Sequence, residues 1–325
     1  MLLNPFMLLM TILLICSSIM VISSMSLFSM WMGLEINMIM MIPMMCGATA
    51  NTSLQAAMIY FSVQSISSSM ILMNMMMLEF KTLPLNLSSM LMSIPIMIKL
   101  AASPFHIWLP ILMKKISWMN CFIISTWQKI APFSILLKFI NNYIMVFAIL
   151  SLIIGGLSAI SMSSLKVIMA FSTISNTGWL ILSGMYSQKM WELFFIVYSL
   201  ITMSNMFVFN MMNLQTLHHL LILKMNKFWM MTVSINILSL GGMPPFLGFL
   251  PKLMIMIFNL NLLKLIMILA LILSLLTLMF YMNIILNSFL LFSYKNKSYM
   301  NYNLYMTPWL SLSLNVTMPM MILLT

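Results

Sequence analysis

From residue 4 to residue 324 the sequence is a succession of apolar runs, each about twenty residues long, separated by short polar punctuation. No other feature constrains the chain as strongly. A run of that length crosses the hydrocarbon of a bilayer as a helix, and inside lipid every backbone N–H and C=O must be satisfied within the segment. The runs lie at roughly 4–23, 26–46, 53–78, 88–112, 117–140, 143–161, 166–185, 191–213, 228–258, 262–288 and 304–324. The expected fold is an all-α polytopic membrane protein of about eleven transmembrane helices, forming a single integral membrane domain over 1–325. Composition agrees. Hydrophobic residues make up 63% of the chain and charged residues 5%, against roughly 25% charged in soluble proteins. Mean hydropathy is +1.11. A soluble enzyme, a disordered chain, a collagen-like fibre and a nucleic-acid module are all excluded.

The charges are one-sided. All 14 basic residues are lysines, all three acids are glutamates, and the net charge is +11. The lysines are scattered singly or in pairs, which suits short membrane loops facing a negative compartment. With eleven spans the two termini lie on opposite sides. Loops on the N-terminal side carry Lys114, Lys115, Lys166, Lys224, Lys227, Lys295 and Lys297 and no acid. The other side carries Lys81, Lys138, Lys189 and Lys264, with Glu79 and Glu192 beside two of them. The asymmetry places the N-terminus in the compartment that collects positive charge.

Methionine occurs 46 times, in runs such as Met38 to Met41 and Met73 to Met77. Gap-filling does not ask for so many. A genetic code that reads an isoleucine codon as methionine would produce them, and that points to an animal mitochondrial genome. The start, MLLNPFMLLM, shows no basic amphipathic transit segment and no charged opening of a secretory signal. The expected location is the mitochondrial inner membrane, with the N-terminus on the matrix side. Cys16, Cys46 and Cys121 sit in separate apolar runs without CxxC or Cys/His spacing, so no metal or cluster site is expected.

Eleven of the lysines lie near loops. Lys99, Lys129 and Lys252 do not, and neither does Glu35. A charge at the centre of a membrane helix costs about 2.5–3.5 kcal/mol on the lenient scale, so these four would cost on the order of 10 kcal/mol unpaired. They must pair, or face water inside the bundle. Lys138 and Lys264 lie near span ends and are expected to snorkel. Two spans also carry breakers. One reads Ile98-Lys99-Leu100-Ala101-Ala102-Ser103-Pro104-Phe105-His106, the other Gly241-Gly242-Met243-Pro244-Pro245-Phe246-Leu247-Gly248-Phe249-Leu250-Pro251-Lys252. Breaks are expected near Ser103–Pro110 and Gly241–Pro251. Irregular backbone at this depth survives only where protein buries it or water lines it. One broken helix in each half, each near a lysine, points to a transport site.

His106 would share a face with Lys99 if the helix continued between them, and it is either a titrating partner or a packing residue. Gln64, Ser65, Ser67, Ser68 and Ser69 form a polar stripe that either holds water or lets helices approach closely. His218 and His219 are adjacent, point apart and have no third ligand near, so they are not expected to bind metal. No glycine-rich nucleotide loop follows a strand, and no facing histidines offer haem ligation. The chain is expected to hold no redox cofactor.

Five segments together resemble a known family: Trp31-Met32-Gly33-Leu34-Glu35-Ile36-Asn37; Ser103-Pro104-Phe105-His106-Ile107-Trp108-Leu109-Pro110; Ser117-Trp118-Met119-Asn120; Thr126-Trp127-Gln128-Lys129-Ile130-Ala131-Pro132; and Gly241 to Lys252. They fall in order and are similar to the chain 2 subunits of mitochondrial NADH–ubiquinone oxidoreductase, respiratory complex I. The resemblance implies an antiporter-like subunit of the proton-pumping arm, with two inverted repeats of five helices and eleven helices where bacterial relatives have fourteen. It implies that Glu35 pairs with Lys99 of the first broken helix, that Lys129 is the central connecting lysine, and that Lys252 is the lysine of the second broken helix. Two positions depart from the pattern. Ile111 stands where the family usually has glutamate, and Asn176 where many relatives have histidine. An asparagine does not relay a proton as histidine does.

The expected function is thus that of a proton-translocating core membrane subunit, moving protons through Glu35, Lys99, Lys129, Lys252 and His106 while NADH is oxidised by ubiquinone elsewhere in the complex. No redox chemistry is expected in this chain. NADH, flavin, iron–sulfur clusters and ubiquinone are expected on other subunits, with no direct NADH contact and no nucleic acid. The expected partners are other membrane-arm subunits and inner-membrane lipids. A free-standing cation–proton antiporter and a non-pumping scaffold are the alternative readings.

Overall fold

The computed structural model describes residues 5–47, 51–80, 85–217, 227–259 and 264–294. His218, His219, Lys81, Lys224, Lys295, Lys297 and the run 304–324 lie outside these residues. Among the described residues the regular elements are helical apart from one isolated bridge, Ser164 to Thr216. Seven helices among the described residues are long and apolar enough to cross a membrane, and shorter apolar helices accompany them.

The chain forms two compact units, Met1–Leu150 and Ser151–Thr325. The first contains α1 (Pro5–Ser23), α2 (Leu27–Cys46), α3 (Asn51–Glu79), α4 (Leu85–Leu100), α5 (Trp108–Lys115), α6 (Trp118–Ser125) and α7 (Trp127–Leu136). The boundary falls inside α8 (Ile144–Ser158). The second unit continues through a short 3-10 turn (Ala159–Ser161), α9 (Leu165–Tyr186), α10 (Gln188–Met211), α11 (Lys227–Gly241), α12 (Phe249–Asn259) and α13 (Lys264–Tyr294). In the first unit α2 and α3 pack on each other, α1 lies on α2, and α7 touches α1, α2 and α4. In the second, α9 is buried from Val167 to Gly184 and is flanked by α10 and α12. Phe6, Ile19, Ile22, Leu275 and Met279 face outward, as expected of helices whose outer surface meets lipid.

Polar side chains inside these helices are largely satisfied locally. Ser65, Ser67, Ser68 and Ser69 each donate to the carbonyl three residues before, at 2.7–3.0 Å. The serine hydroxyls of the polar stripe are thus each bonded to their own helix. Ser26 and Ser187 cap α2 and α10 by accepting from Ser29 and Met190 backbone N–H groups. Pro95, inside α4, removes the donor that would reach the carbonyl of Leu91. Asn74 Nδ2 of α3 donates to that carbonyl at 2.8 Å.

Both sequence-predicted breaks are present, shifted slightly from their expected bounds. The first runs from Ala101 to Ile107 and the second from Gly242 to Gly248. Each opens on a residue in left-handed conformation, Ala101 at φ 56° and Gly242 at φ +82°. Each closes its helix with the same pair of bonds. Ala102 N–H donates to Met97 O and Ala101 N–H to Ile98 O. Met243 N–H donates to Leu238 O and Gly242 N–H to Ser239 O. This is the paired 6→1 and 5→2 pattern that ends a helix cleanly. The run 117–140, expected as one helix, is divided at Thr126. There Thr126 N–H and Oγ1 both donate to Phe122 O at 3.0 and 2.8 Å, and Thr126 adopts φ −118°, ψ −73°. A β-branched residue bonding its own helix backbone favours such an interruption.

Candidate functional site

Lys99, Lys129 and Lys252 are 7%, 3% and 6% exposed. None snorkels. Lys138, by contrast, leaves the end of α7 and donates to Ser24 O at 3.2 Å, as a span-end lysine should.

In the first unit, Lys99 lies in the last turn of α4 and Lys129 in the first turn of α7. The break after Leu100 and the interruption at Thr126 bring two helix ends to the same place. Lys99 and Lys129 line one cavity with Leu34, Asn37, Tyr60, Gln64 and Gln128. Its volume is about 20 Å³, counted as the space open to the centre of a water-sized sphere. About 10–15 Å³ on that measure accommodates one water. Glu35 is half-buried on α2 and is not among the residues lining the cavity. Gln64 is the member of the polar stripe that reaches the cavity.

Helix ends also leave carbonyls to be satisfied. At the first break Trp108 Nε1 donates to Ile98 O at 3.3 Å. His106 sits in the break itself, half-buried, its Nδ1 3.3 Å from Ser103 Oγ and 3.2 Å from Pro104 O. Because α4 stops at Leu100, His106 does not continue the helical face of Lys99, and it is not among the residues lining the cavity. Ile111 is 45% exposed on α5, so the position that carries a carboxylate in the implied pattern faces outward in this chain.

In the second unit Lys252 Nζ donates to Gly241 O at 3.0 Å, at the C-terminal end of α11. A cation at a helix C-terminus is favoured by the aligned peptide dipoles. The same ammonium lies 5.9 Å from the centre of the Trp179 ring, within cation–π range. Lys252 and Asn176 line one cavity together with Tyr198, Ile201, Ser239 and Gly248. The departure at Asn176 therefore falls beside the second lysine. Gly242 leaves room for this arrangement: a Cβ there would lie 2.9 Å from Lys252 Nζ.

Tyr60 and Trp179 have no sequence signal that singles them out, and Asn37 closes a quoted motif without a role. Nothing in a lone tyrosine on an apolar helix separates it from a packing residue. Gln128 stood inside a quoted motif without a role. Among the described residues no group of three or more His, Cys, Asp or Glu side chains could hold a metal ion.

Comparison with known proteins gives one answer. Residues 24–277 match the family model described as NADH:quinone oxidoreductase/Mrp antiporter, TM. NADH-ubiquinone oxidoreductase chain 2 of Anopheles gambiae is 38% identical over 249 residues, covering 74% of this chain and 73% of the relative. The chain 2 protein of Locusta migratoria is 38% identical over 236 residues, covering 70% and 68%. A chain of respiratory complex I from Thermus thermophilus superposes with a TM-score of 0.83 at 19% identity, over 96% of this chain and 76% of that one. A chain of the Mrp complex from Dietzia sp. DQ12-45-1b superposes with a TM-score of 0.74 at 18% identity, over 85% and 59%. The two structures share the fold, a polytopic helical membrane fold of antiporter-like type, and the two sequence relatives carry the assignment further: the chain belongs to the NADH-ubiquinone oxidoreductase chain 2 family.

Proposed function

We propose that the chain is a proton-translocating core membrane subunit of respiratory complex I, in the mitochondrial inner membrane, with its N-terminus in the matrix. The observation that carries the reading is the placement of Lys99 and Lys129 on one buried, water-sized cavity. A lysine can hold a proton and release it, and its charge then changes by a full unit. At an effective dielectric of about 20, unit charges roughly 8 Å apart interact by about 2 kcal/mol. Displacing the Glu35–Lys99 charge therefore changes the proton affinity of Lys129 enough to move a proton. Lys252, held at the end of α11, is the corresponding group of the second unit. His106, in the first break, is a further proton-carrying group. NADH, flavin, iron–sulfur clusters and ubiquinone belong to other subunits in this reading. Membrane-arm subunits and inner-membrane lipids are the partners of this chain.

Lys129→Met tests the reading, because it keeps volume and apolar packing but removes the group that carries the proton. The variant complex is expected to assemble and insert normally. Proton translocation should fall about a hundredfold or more, the low end of what removal of a proton-transferring group costs. An assembled Lys129→Met complex that pumps like the parent makes Lys129 structural and ends the central-relay reading. A free-standing cation–proton antiporter, which the Mrp-like fold also accommodates, predicts in addition that the chain purifies without flavin or iron–sulfur proteins.

A further inference from the structure

The cavity shared by Lys99 and Lys129 also carries a polar chain. Tyr60 Oη donates to Gln128 Oε1 at 3.1 Å, and Gln128 Nε2 donates to Asn37 Oδ1 at 3.1 Å. The three side chains come from α3, α7 and α2, and all three line the cavity. Tyr60 and Asn37 are each 2% exposed. Such a network is not needed to fill space: apolar side chains would do so without the cost of desolvating a phenol and two amides.

The chain has a direction. A phenol has one proton and two lone pairs. The proton of Tyr60 is committed to Gln128, so the oxygen has only lone pairs left to offer the cavity. Gln128 receives that proton because its nitrogen is committed to Asn37, which fixes the oxygen toward Tyr60. The consequence falls on any water between the lysines. A water that relays a proton must turn its oxygen to the ammonium that gives and its hydrogens away from it. A hydroxyl donating into the cavity would turn that water round, whereas one that only accepts holds it in the relaying orientation.

We propose that Tyr60 is a positioning residue for proton passage between Lys99 and Lys129, keeping lone pairs toward the cavity water, and that Gln128 and Asn37 act through it by holding its hydroxyl proton. The inference rests on the reading that the two lysines exchange a proton. The step conserves protons. One N–H bond of the donor ammonium breaks, one forms on the acceptor amine, and the water between gives up one proton as it receives another. Tyr60 keeps its own proton throughout.

The test uses assembled complex in inner-membrane vesicles and four variants: Tyr60→Phe, Gln128→Leu, the two combined, and Lys129→Met. Each is read by proton-translocation rate per assembled complex and by the solvent isotope effect of turnover in D2O. Tyr60→Phe keeps the ring and removes the hydroxyl, and should slow translocation about three- to tenfold, the scale of one lost hydrogen bond. Its isotope effect should rise, because a proton step has become slower. Gln128→Leu should give a similar loss by releasing the phenol proton. The combined variant should be no slower than Tyr60→Phe alone, because Gln128 acts through Tyr60. A merely structural lesion would lower the amount of active complex and leave the isotope effect where it was. Lys129→Met impaired with Tyr60→Phe at the parent rate overturns the positioning role and leaves the relay standing. Losses that multiply in the combined variant overturn it as well. Lys129→Met at the parent rate removes both. Should Tyr60→Phe fail to assemble, Gln128→Leu decides, since it leaves the tyrosine in place: the parent rate with an unchanged isotope effect overturns the proposal.

Discussion

Gly242 shows how much one residue without a side chain carries here. Its φ of +82° is a conformation in which a Cβ crowds the neighbouring carbonyl, at roughly 1–2 kcal/mol. The space a Cβ would need is filled by Lys252, whose Nζ, Cδ and Cε come within 2.9, 3.1 and 3.3 Å of it. Gly242→Ala therefore strains the turn and displaces the ammonium from Gly241 O and the Trp179 face together. The expected outcome is an assembled complex, less heat-stable by about 1–2 kcal/mol, with slower proton translocation. Translocation at the parent rate would mean that the position of Lys252 over Trp179 has no bearing on its role. Ala101 takes the same left-handed turn at the first break with a Cβ in place. The first break therefore tolerates the side chain, and what singles out Gly242 is the lysine folded back against it.

At the scale of the element, the irregular helices of this protein are repaired by neighbours. Pro95 orphans the carbonyl of Leu91, and Asn74 reaches across from α3 to satisfy it. At the first break Trp108 adds a second donor to the carbonyl of Ile98, which already accepts from Ala101 N–H. In lipid there is no water to take over, so each repair matters more than its modest net energy in solution suggests. Asn74→Leu should cost about 1–3 kcal/mol, the penalty of a buried acceptor left without a donor. Pro95→Ala restores an N–H four residues beyond Leu91, so adding it to Asn74→Leu should recover most of the loss. The melting temperature of the purified complex reports both. A second loss on adding Pro95→Ala would show that the Leu91 carbonyl is not the cause. These repairs mark the limit of what was legible beforehand. The apolar runs, the two breaks and the three buried lysines could be read directly, because each violates or obeys a rule about single segments in lipid. The interruption at Thr126 could not, since threonine is common in membrane helices and bends them only in some contexts. The pairings of Asn74 with Leu91 and of Tyr60 with Gln128 join residues 17 and 68 apart. No local pattern announces them. The cavity itself was implied only as a need, the need of buried lysines for water or a counter-ion.

At the scale of the whole molecule the lysine asymmetry predicts an orientation. Lys114, Lys115 and Lys166 precede or follow spans on one side, while Lys138 and Lys189, with Glu79 and Glu192, mark the other. Alternation of sides requires that each intervening helix cross. α9 has 22 residues, about 33 Å at 1.5 Å per residue, which matches a hydrocarbon core of about 30 Å. Its two ends are therefore on opposite faces if it crosses at all. Ser163 precedes it and Gln188 follows it, both exposed. The proposed orientation, with the positive-rich side in the matrix, predicts Ser163 on the matrix face and Gln188 on the intermembrane face. In mitoplasts, whose outer face is the intermembrane one, a charged membrane-impermeant maleimide should label Gln188→Cys and spare Ser163→Cys. Permeabilised membranes should expose both. The parent sets the background, with Cys16, Cys46 and Cys121 all within helices. The reverse labelling would overturn the proposed orientation. Labelling of both sites from one face would mean that α9 does not cross, and the lysine asymmetry would then have to arise from something other than topology.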